Sequence, residues 1–210
     1  MTIKKTDVIA PFLKQAKQLY EFMDQKYDDA ALIHQFNCSG CPDNCCMTHF
    51  YHHTFFEYFY LIEAYKQLPD QTKLTIFKKA KQIQDQISAL DENETRPRMM
   101  CPLNMDGLCA LYESRPMICR LHGIPYEIKR GHQSMQSPGC GEFDNQTSHS
   151  KTVIFDRTPI YIKMAGLENS LKKALGISKK NRMTVADMII AHEESYKKSS
   201  KPESSQPEEG

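Results

Sequence analysis

Apolar side chains recur at three- and four-residue steps along the first stretch of the chain. Val8, Phe12, Ala16, Leu19, Tyr20, Met23 and Tyr27 fall on one face, which predicts an amphipathic, core-packing helix over residues 7–31. Pro11 suits a first turn, so the regular part is expected to begin near Ala10. Residues 47–68 hold Phe50, Tyr51, Phe55, Phe56, Tyr58, Phe59, Tyr60 and Tyr65; apolar nearly all round, they predict a buried central helix. Pro69-Asp70 opens a further helix over 70–91, striped by Leu74, Phe77, Ala80, Ile83, Ile87 and Leu90. Its lysines, Lys73, Lys78, Lys79 and Lys81, read as a solvated face. These two helices are expected to pair as an antiparallel hairpin that returns the chain toward residue 46. A polar loop, 91–97, ends the segment.

The later half is more broken. Asp106-Gly107 is a strong turn signal and predicts a short hairpin that brings Cys101 and Cys109 together. Ser114 as N-cap and Pro116 in a first turn predict a short helix carrying Cys119. Residues 124–131 read as a strand entering a turn, and Pro138-Gly139-Cys140-Gly141 as a glycine-flanked turn. Thr158-Pro159 starts a helix through Ile160, Met164, Leu167, Leu171 and Leu175 that stops at Gly176. Thr184-Val-Ala-Asp187 resembles a capping box opening a last helix through Met188, Ile189 and Ile190. From Ser195 the chain is polar, which predicts a disordered tail over 195–210. The pattern therefore predicts a mainly α fold: one helical domain over 1–194 with one or two short hairpins and a metal-stapled, cysteine-rich core. No internal repeat is visible.

Composition narrows the function classes. The 210 residues are 40% hydrophobic and 25% charged, with a formal net charge of +1. Nothing in that balance draws the chain to nucleic acid or to an anionic membrane. No apolar run long enough to span a bilayer occurs, and residues 1–7 lack the apolar core of a signal peptide. The expected location is the cytoplasm, where thiols stay reduced.

That expectation decides how the eight cysteines are read. Cys38, Cys41, Cys45 and Cys46 form one block; Cys101, Cys109, Cys119 and Cys140 form a second. Clustered thiols in a reducing compartment favour metal or cluster ligation over disulfides, and all eight are candidate ligands. Soft thiolates suit zinc, iron or a 4Fe–4S cluster, in one centre or two. Gly40 permits a tight metal knuckle, and Pro42 could start a helix that puts Cys41 and Cys45 on one face. Cys45 and Cys46 are neighbours and point apart in regular backbone. Either they serve two centres, or one ligates and the other packs or reacts. Arg115, Arg120 and His49 are candidate neighbours that would offset thiolate charge or, for His49 at i+4 from Cys45, join a site. Met99-Met100 adds soft sulfurs that copper would accept.

Taken together, Cys38-x-x-Cys41-x-x-x-Cys45-Cys46, then Cys101-Pro102, Gly107, Cys109, Tyr112, Arg115-Pro116, Cys119-Arg120 and finally Cys140 resemble the YkgJ-like cysteine-cluster family, described as a zinc- or iron-chelating domain. The match covers residues 36–142. The resemblance implies a mainly helical metal-binding domain and no single reaction. Some members are labelled iron–sulfur oxidoreductases, and flagellin lysine N-methylases carry a similar cysteine pattern, so redox and methyl transfer are the enzyme classes it brings in. The chain shows no glycine-rich cofactor loop, P-loop, HExxH or Ser/His/Asp order, and no catalytic residue or partner is assigned. The alternatives are a partner-binding module in which metal is only a staple, or a thiol redox sensor built on Cys45-Cys46.

Overall fold

The computed structural model describes residues 5–38, 45–90, 97–147 and 154–199. Within them the fold is mainly helical, with two small sheets. Helix α1 spans Lys5–His34. It begins ahead of Pro11 rather than at it, because the carbonyl that loses its donor belongs to exposed Asp7 and faces water. Helix α2 spans Phe55–Lys66, shorter than the 47–68 expected. Thr54 caps it by accepting the Glu57 N–H at 3.4 Å. The chain before it is pulled out of helix by a bridge in which His52 and Met183 exchange backbone hydrogen bonds of 2.8 and 3.0 Å.

Helix α3 spans Asp70–Ser88, and its burial follows the predicted stripe at Phe77, Ala80 and Ile83 but not at its start. Ile76 and Ala80 are fully buried, whereas Leu74 is 45% exposed. The reason is the partner: α3 lies chiefly against the last helix, α7 (Val185–Ser199), so the expected hairpin with α2 is replaced by a three-helix core. The capping box of α7 forms as expected, Thr184 and Asp187 each donating a backbone N–H to the other's side chain at 2.8 and 3.1 Å. Helix α7 runs on through Ser199, past the predicted start of the tail at Ser195. Ser195 donates its hydroxyl to the Ala191 carbonyl, and the Lys197 ammonium lies over the Phe77 ring.

Strands β1 (Asn104–Met105) and β2 (Leu108–Cys109) form the predicted hairpin. Asp106 and Gly107 sit at φ 53° and 90°, both positive as such a two-residue turn requires. Helix α4 spans Met117–Arg120, with Pro116 rather than Ser114 at its N-cap; Ser114 ends a separate 3₁₀ turn. Strands β3 (Tyr126–Arg130) and β4 (Gln133–Ser137) form a second hairpin. An unpredicted strand, β5 (Phe155–Asp156), joins β3 in parallel. Helix α5 spans Gly141–Thr147, where only a turn was expected, and α6 spans Thr158–Leu175, ended by Gly176 at φ 64°.

The apolar side chains divide into two cores. One gathers α1, α6 and the 117–124 segment; the other gathers α3, α7 and the β1–β2 hairpin. Helix α2 belongs to both, through Phe55 and Phe56 in the first and Leu61, Ile62 and Tyr65 in the second. Buried Arg157 ties the start of α6 to the chain after α4. Its guanidinium donates to the Leu121 and Ile124 carbonyls and stacks 3.8 Å from the Tyr126 ring centre. Burial pulls its pKa down to about 10, so it remains a cation at neutral pH. Among the described residues no helix is long and apolar enough to cross a membrane.

His52 is 3% exposed, and its pKa is pulled down to about 4 by burial, with the charge of His53 adding to it. The unfolded chain therefore takes up this proton first. The stabilising contribution is complete above the unfolded value near 6.5 and drains away as pH falls toward 4. In His52→Gln, the stability lost between about pH 7.5 and pH 5 should shrink by about 2 kcal/mol relative to the parent, read by urea unfolding at both pH values. An unchanged loss would show that His52 does not carry this term.

Candidate functional site

Four of the described cysteines, Cys46, Cys101, Cys109 and Cys119, are brought together from three segments. Cys46 sits in a 3₁₀ turn, Cys45–Met47, whose Cys46 carbonyl accepts the Cys101 N–H at 2.8 Å. That one bond returns the chain to the first cysteine block after α2 and α3. Cys101 then leads into the β1–β2 hairpin, and Cys109 ends it, in register with Asn104. The hairpin is closed further by the Ala110 N–H on the Leu103 carbonyl at 2.8 Å. Cys119 is carried by α4. Cys101, Cys109, Cys119 and Cys140 carry free thiols.

Electrostatics shows which sulfurs are neighbours. Burial pushes the Cys101 thiol up to about 12; Cys46 and Cys109 raise it further, while a backbone hydrogen bond from Leu103 and the charge of Lys79 oppose the rise. Cys109 is raised first by burial and then by Cys46, against a backbone hydrogen bond from Leu111 and the charge of Arg115. Cys119 is raised well above its ordinary value by burial, then by Cys101, Cys109, Cys46 and Glu57. Cys46, Cys101, Cys109 and Cys119 thus form one group, within range of each other's charge. Among the described residues, however, no three His, Cys, Asp or Glu side chains stand close enough together to hold a metal ion as placed. The four sulfurs are gathered but not closed to ligand spacing. Burial holds Cys101, Cys109 and Cys119 toward the neutral thiol.

Cys38 and Cys140 lie elsewhere. Cys140 packs against the α1–α6 core, and its sulfur takes the Phe143 N–H at 3.4 Å at the start of α5. Asn37, next to exposed Cys38, is clasped to the same helix by reciprocal hydrogen bonds with Gln146 of 2.9 and 3.0 Å. Gly40, Cys41, Pro42 and the side chain of Cys45 lie outside the described residues, and so does the helix expected from Pro42.

The expected cations differ in use. Arg115 stacks 3.4 Å from the Tyr112 ring centre, acts on Cys109, and has a buried Nε with no hydrogen-bond partner. Arg120 spends its donors on the Glu113 and Arg115 carbonyls and on Asp24 Oδ2 at 2.5 Å, with its guanidinium 4.3 Å from the Tyr20 ring centre. It holds the approach to α4 against α1. His49 is not one helical turn above Cys45, because the chain after Met47 is not helical; its ring packs edge-on against Tyr51 at 5.2 Å.

Comparison with protein families, curated proteins and solved structures finds no match to this chain.

Two residues near the sulfurs were not singled out in the sequence. Lys79, read as solvated, bonds the Asn104 carbonyl at 2.9 Å and acts on Cys101. Its spacing from Ile76 and Ile83 places it on the buried side of α3, and that spacing was the available signal. Glu57 is 3% exposed; it accepts the Thr54 hydroxyl at 2.5 Å and the Met117 N–H at 2.9 Å. Thr54-Phe-Phe-Glu57 is a capping-box string, which marks the true start of α2.

Arg120→Met should cost about 3 kcal/mol, because two carbonyls and a carboxylate lose a buried donor together. Asp24→Asn should cost about 1 kcal/mol or less, since the Asp24 side chain is 40% exposed and water replaces its partner. Urea unfolding of the two variants checks the order; equal costs would show that the ion pair, not the carbonyl clamp, is what Arg120 supplies.

Proposed function

We propose that this protein binds metal through clustered thiolates, as zinc, iron or a 4Fe–4S cluster. The carrying observation is the Cys46, Cys101, Cys109 and Cys119 group. Four thiols from separate segments lie within range of each other's charge, and burial together with that charge disfavours the thiolates of Cys101, Cys109 and Cys119 unless a cation shares the site. The donor set fits such a cation. Four thiolates around a divalent ion leave about two net negative charges. Backbone hydrogen bonds from Leu103 and Leu111 to the sulfurs, with Lys79 and Arg115 nearby, supply compensating positive charge. These four residues form the first centre. Cys38, Cys41, Cys45 and Cys140 are the remaining thiols and supply a second; Cys140 directly precedes α5, and the Asn37–Gln146 clasp holds the residue before Cys38 to that helix. The resemblance of residues 36–142 to the YkgJ-like cysteine-cluster family agrees with this reading and rests on that string alone.

Zinc would contribute cross-linking of the two cores, and an iron–sulfur cluster one-electron chemistry as well. The chain's own part is to hold the sulfurs, offset their charge and keep water from them. No reaction follows from these residues.

Purification without oxygen, followed by elemental analysis and a visible spectrum, tests the proposal. Metal should be retained, and Cys109→Ser should remove the share held by the first centre while Cys140→Ser removes the other. A visible sulfur-to-iron absorption identifies iron; a colourless protein with stoichiometric zinc identifies zinc. A folded, reduced, metal-free protein that takes up no added zinc or iron and leaves all eight thiols open to alkylation would overturn it.

A further inference from the structure

Helix α4 is only four residues long, and Cys119 is its third. A helix this short has no interior. Its first backbone donors have no partner within it, and Pro116 at the N-cap brings no side-chain oxygen. Met117 is 9% exposed, so water does not serve its N–H. The partner is a carboxylate from another helix: Glu57 Oε1 accepts the Met117 N–H at 2.9 Å, across 60 residues of chain. The other oxygen, Oε2, is fixed by the Thr54 hydroxyl at 2.5 Å. Thr54 in turn caps α2, and Asn181 donates to its carbonyl at 3.0 Å. The first turn of α2 is pinned from the opposite side by Glu168 Oε2, which accepts the Phe55 and Phe56 N–H groups at 2.8 and 3.3 Å. Glu57 therefore cannot shift without breaking a braced junction, and α4 hangs from it.

We infer that Glu57 is a positioning residue for the four-sulfur group, holding Cys119 in place by capping α4 from α2. The inference rests on the thiolate-centre reading for its functional consequence, and on the hydrogen-bond geometry alone for the placement of Cys119. Glu57 touches none of the proposed ligand sulfurs. Its charge raises the Cys119 thiol, and it sets the position of that thiol through Met117 and the helix that follows. Two features make it more than a core hydrogen bond. The bond lands on the first residue of the one helix that carries a cysteine of the group. And the other three members are set independently, by the Cys46–Cys101 backbone bond and the β1–β2 hairpin, so Cys119 alone depends on Glu57.

The first readout needs no metal. Reduced, metal-free protein is alkylated with iodoacetamide, and each cysteine is followed by mass spectrometry. In Glu57→Ala, Cys119 should react at least about tenfold faster, with Cys46, Cys101 and Cys109 within about threefold of the parent. Glu57→Gln should restore the slow rate, since its amide oxygen can accept the Met117 N–H and its NH₂ can donate to Thr54. If Glu57→Ala does not fold, Glu57→Asp, whose carboxylate falls short of Met117, is read the same way. An unchanged Cys119 rate, an equal rise at all four cysteines, or failure of Gln to restore it overturns the inference.

Cobalt(II) then reports on the centre. The parent should show sulfur-to-cobalt charge-transfer absorption, and Glu57→Ala should weaken cobalt binding at least about tenfold and alter that band, with Gln again close to the parent. Parent protein that binds no cobalt counts against the thiolate-centre reading, while the alkylation ratios still decide the role of Glu57. Parent and Glu57→Ala binding cobalt equally, with the same band, overturns the functional half of the inference.

Discussion

Desolvation of sulfur is the constraint around which this molecule is arranged. A thiol shielded from water resists ionisation, and three of the cysteines are pushed up chiefly for that reason. Placing such groups within reach of one another makes a second charge still harder to bear. A fold has little use for that arrangement as a source of stability, since ordinary apolar side chains would fill the same space without a polar atom to satisfy. Positive charge and backbone donors offset that cost, and the surroundings supply both. Lys79 reaches the hairpin from the buried side of α3, Arg115 keeps an unpartnered Nε, and Leu103 and Leu111 direct backbone donors at sulfur.

Helix α2 is what makes the arrangement rigid. It has no exposed residue between Thr54 and Tyr65, and it contributes to both cores. One core sets the position of α4 and the other sets the position of the hairpin, so the relation between Cys119 and the Cys101–Cys109 pair is fixed through α2. The carboxylate at its first turn repeats the same logic at atomic scale. A helix of four residues cannot define its own start, and a buried oxygen from a long, well-packed neighbour does it instead. Arg120 closes the other side of α4 by gathering the carbonyls that precede it and binding Asp24 of α1.

Local signals carried much of this. The stop of α6 at Gly176, the capping box at Thr184 and the hairpin at Asp106-Gly107 depend on one or two side chains and their backbone angles, and each stands where the residues place it. Errors arose where a distant strand or helix outweighed the local pattern. The aromatic run 47–68 reads as helix throughout, yet its first part pairs with Met183, more than a hundred residues away. The stripe of α3 begins at Leu74 by periodicity, yet in the fold Leu74 is exposed and Ile76 is buried, because α7 rather than α2 covers the helix. Lys79 and Arg120 show the same limit for charge: sequence gives the sign and not the partner. The grouping of Cys46 with Cys101, Cys109 and Cys119 was half legible. Two blocks joined by a helical spacer were visible, but which member of the first block faces the second is decided by a backbone bond that no motif encodes.

That bond also bears on the adjacent pair Cys45-Cys46. Residues 45–47 form a 3₁₀ turn, with three residues to each full rotation, so neighbouring positions are separated by about a third of a circle. Cys46 is committed to the group with Cys101, Cys109 and Cys119 by its own carbonyl and by the charges it exerts on all three. Of the other four cysteines, Cys140 directly precedes α5, and Cys38 follows Asn37, which Gln146 of that helix clasps. Of the adjacent pair, Cys46 is the member that the backbone ties to the second block.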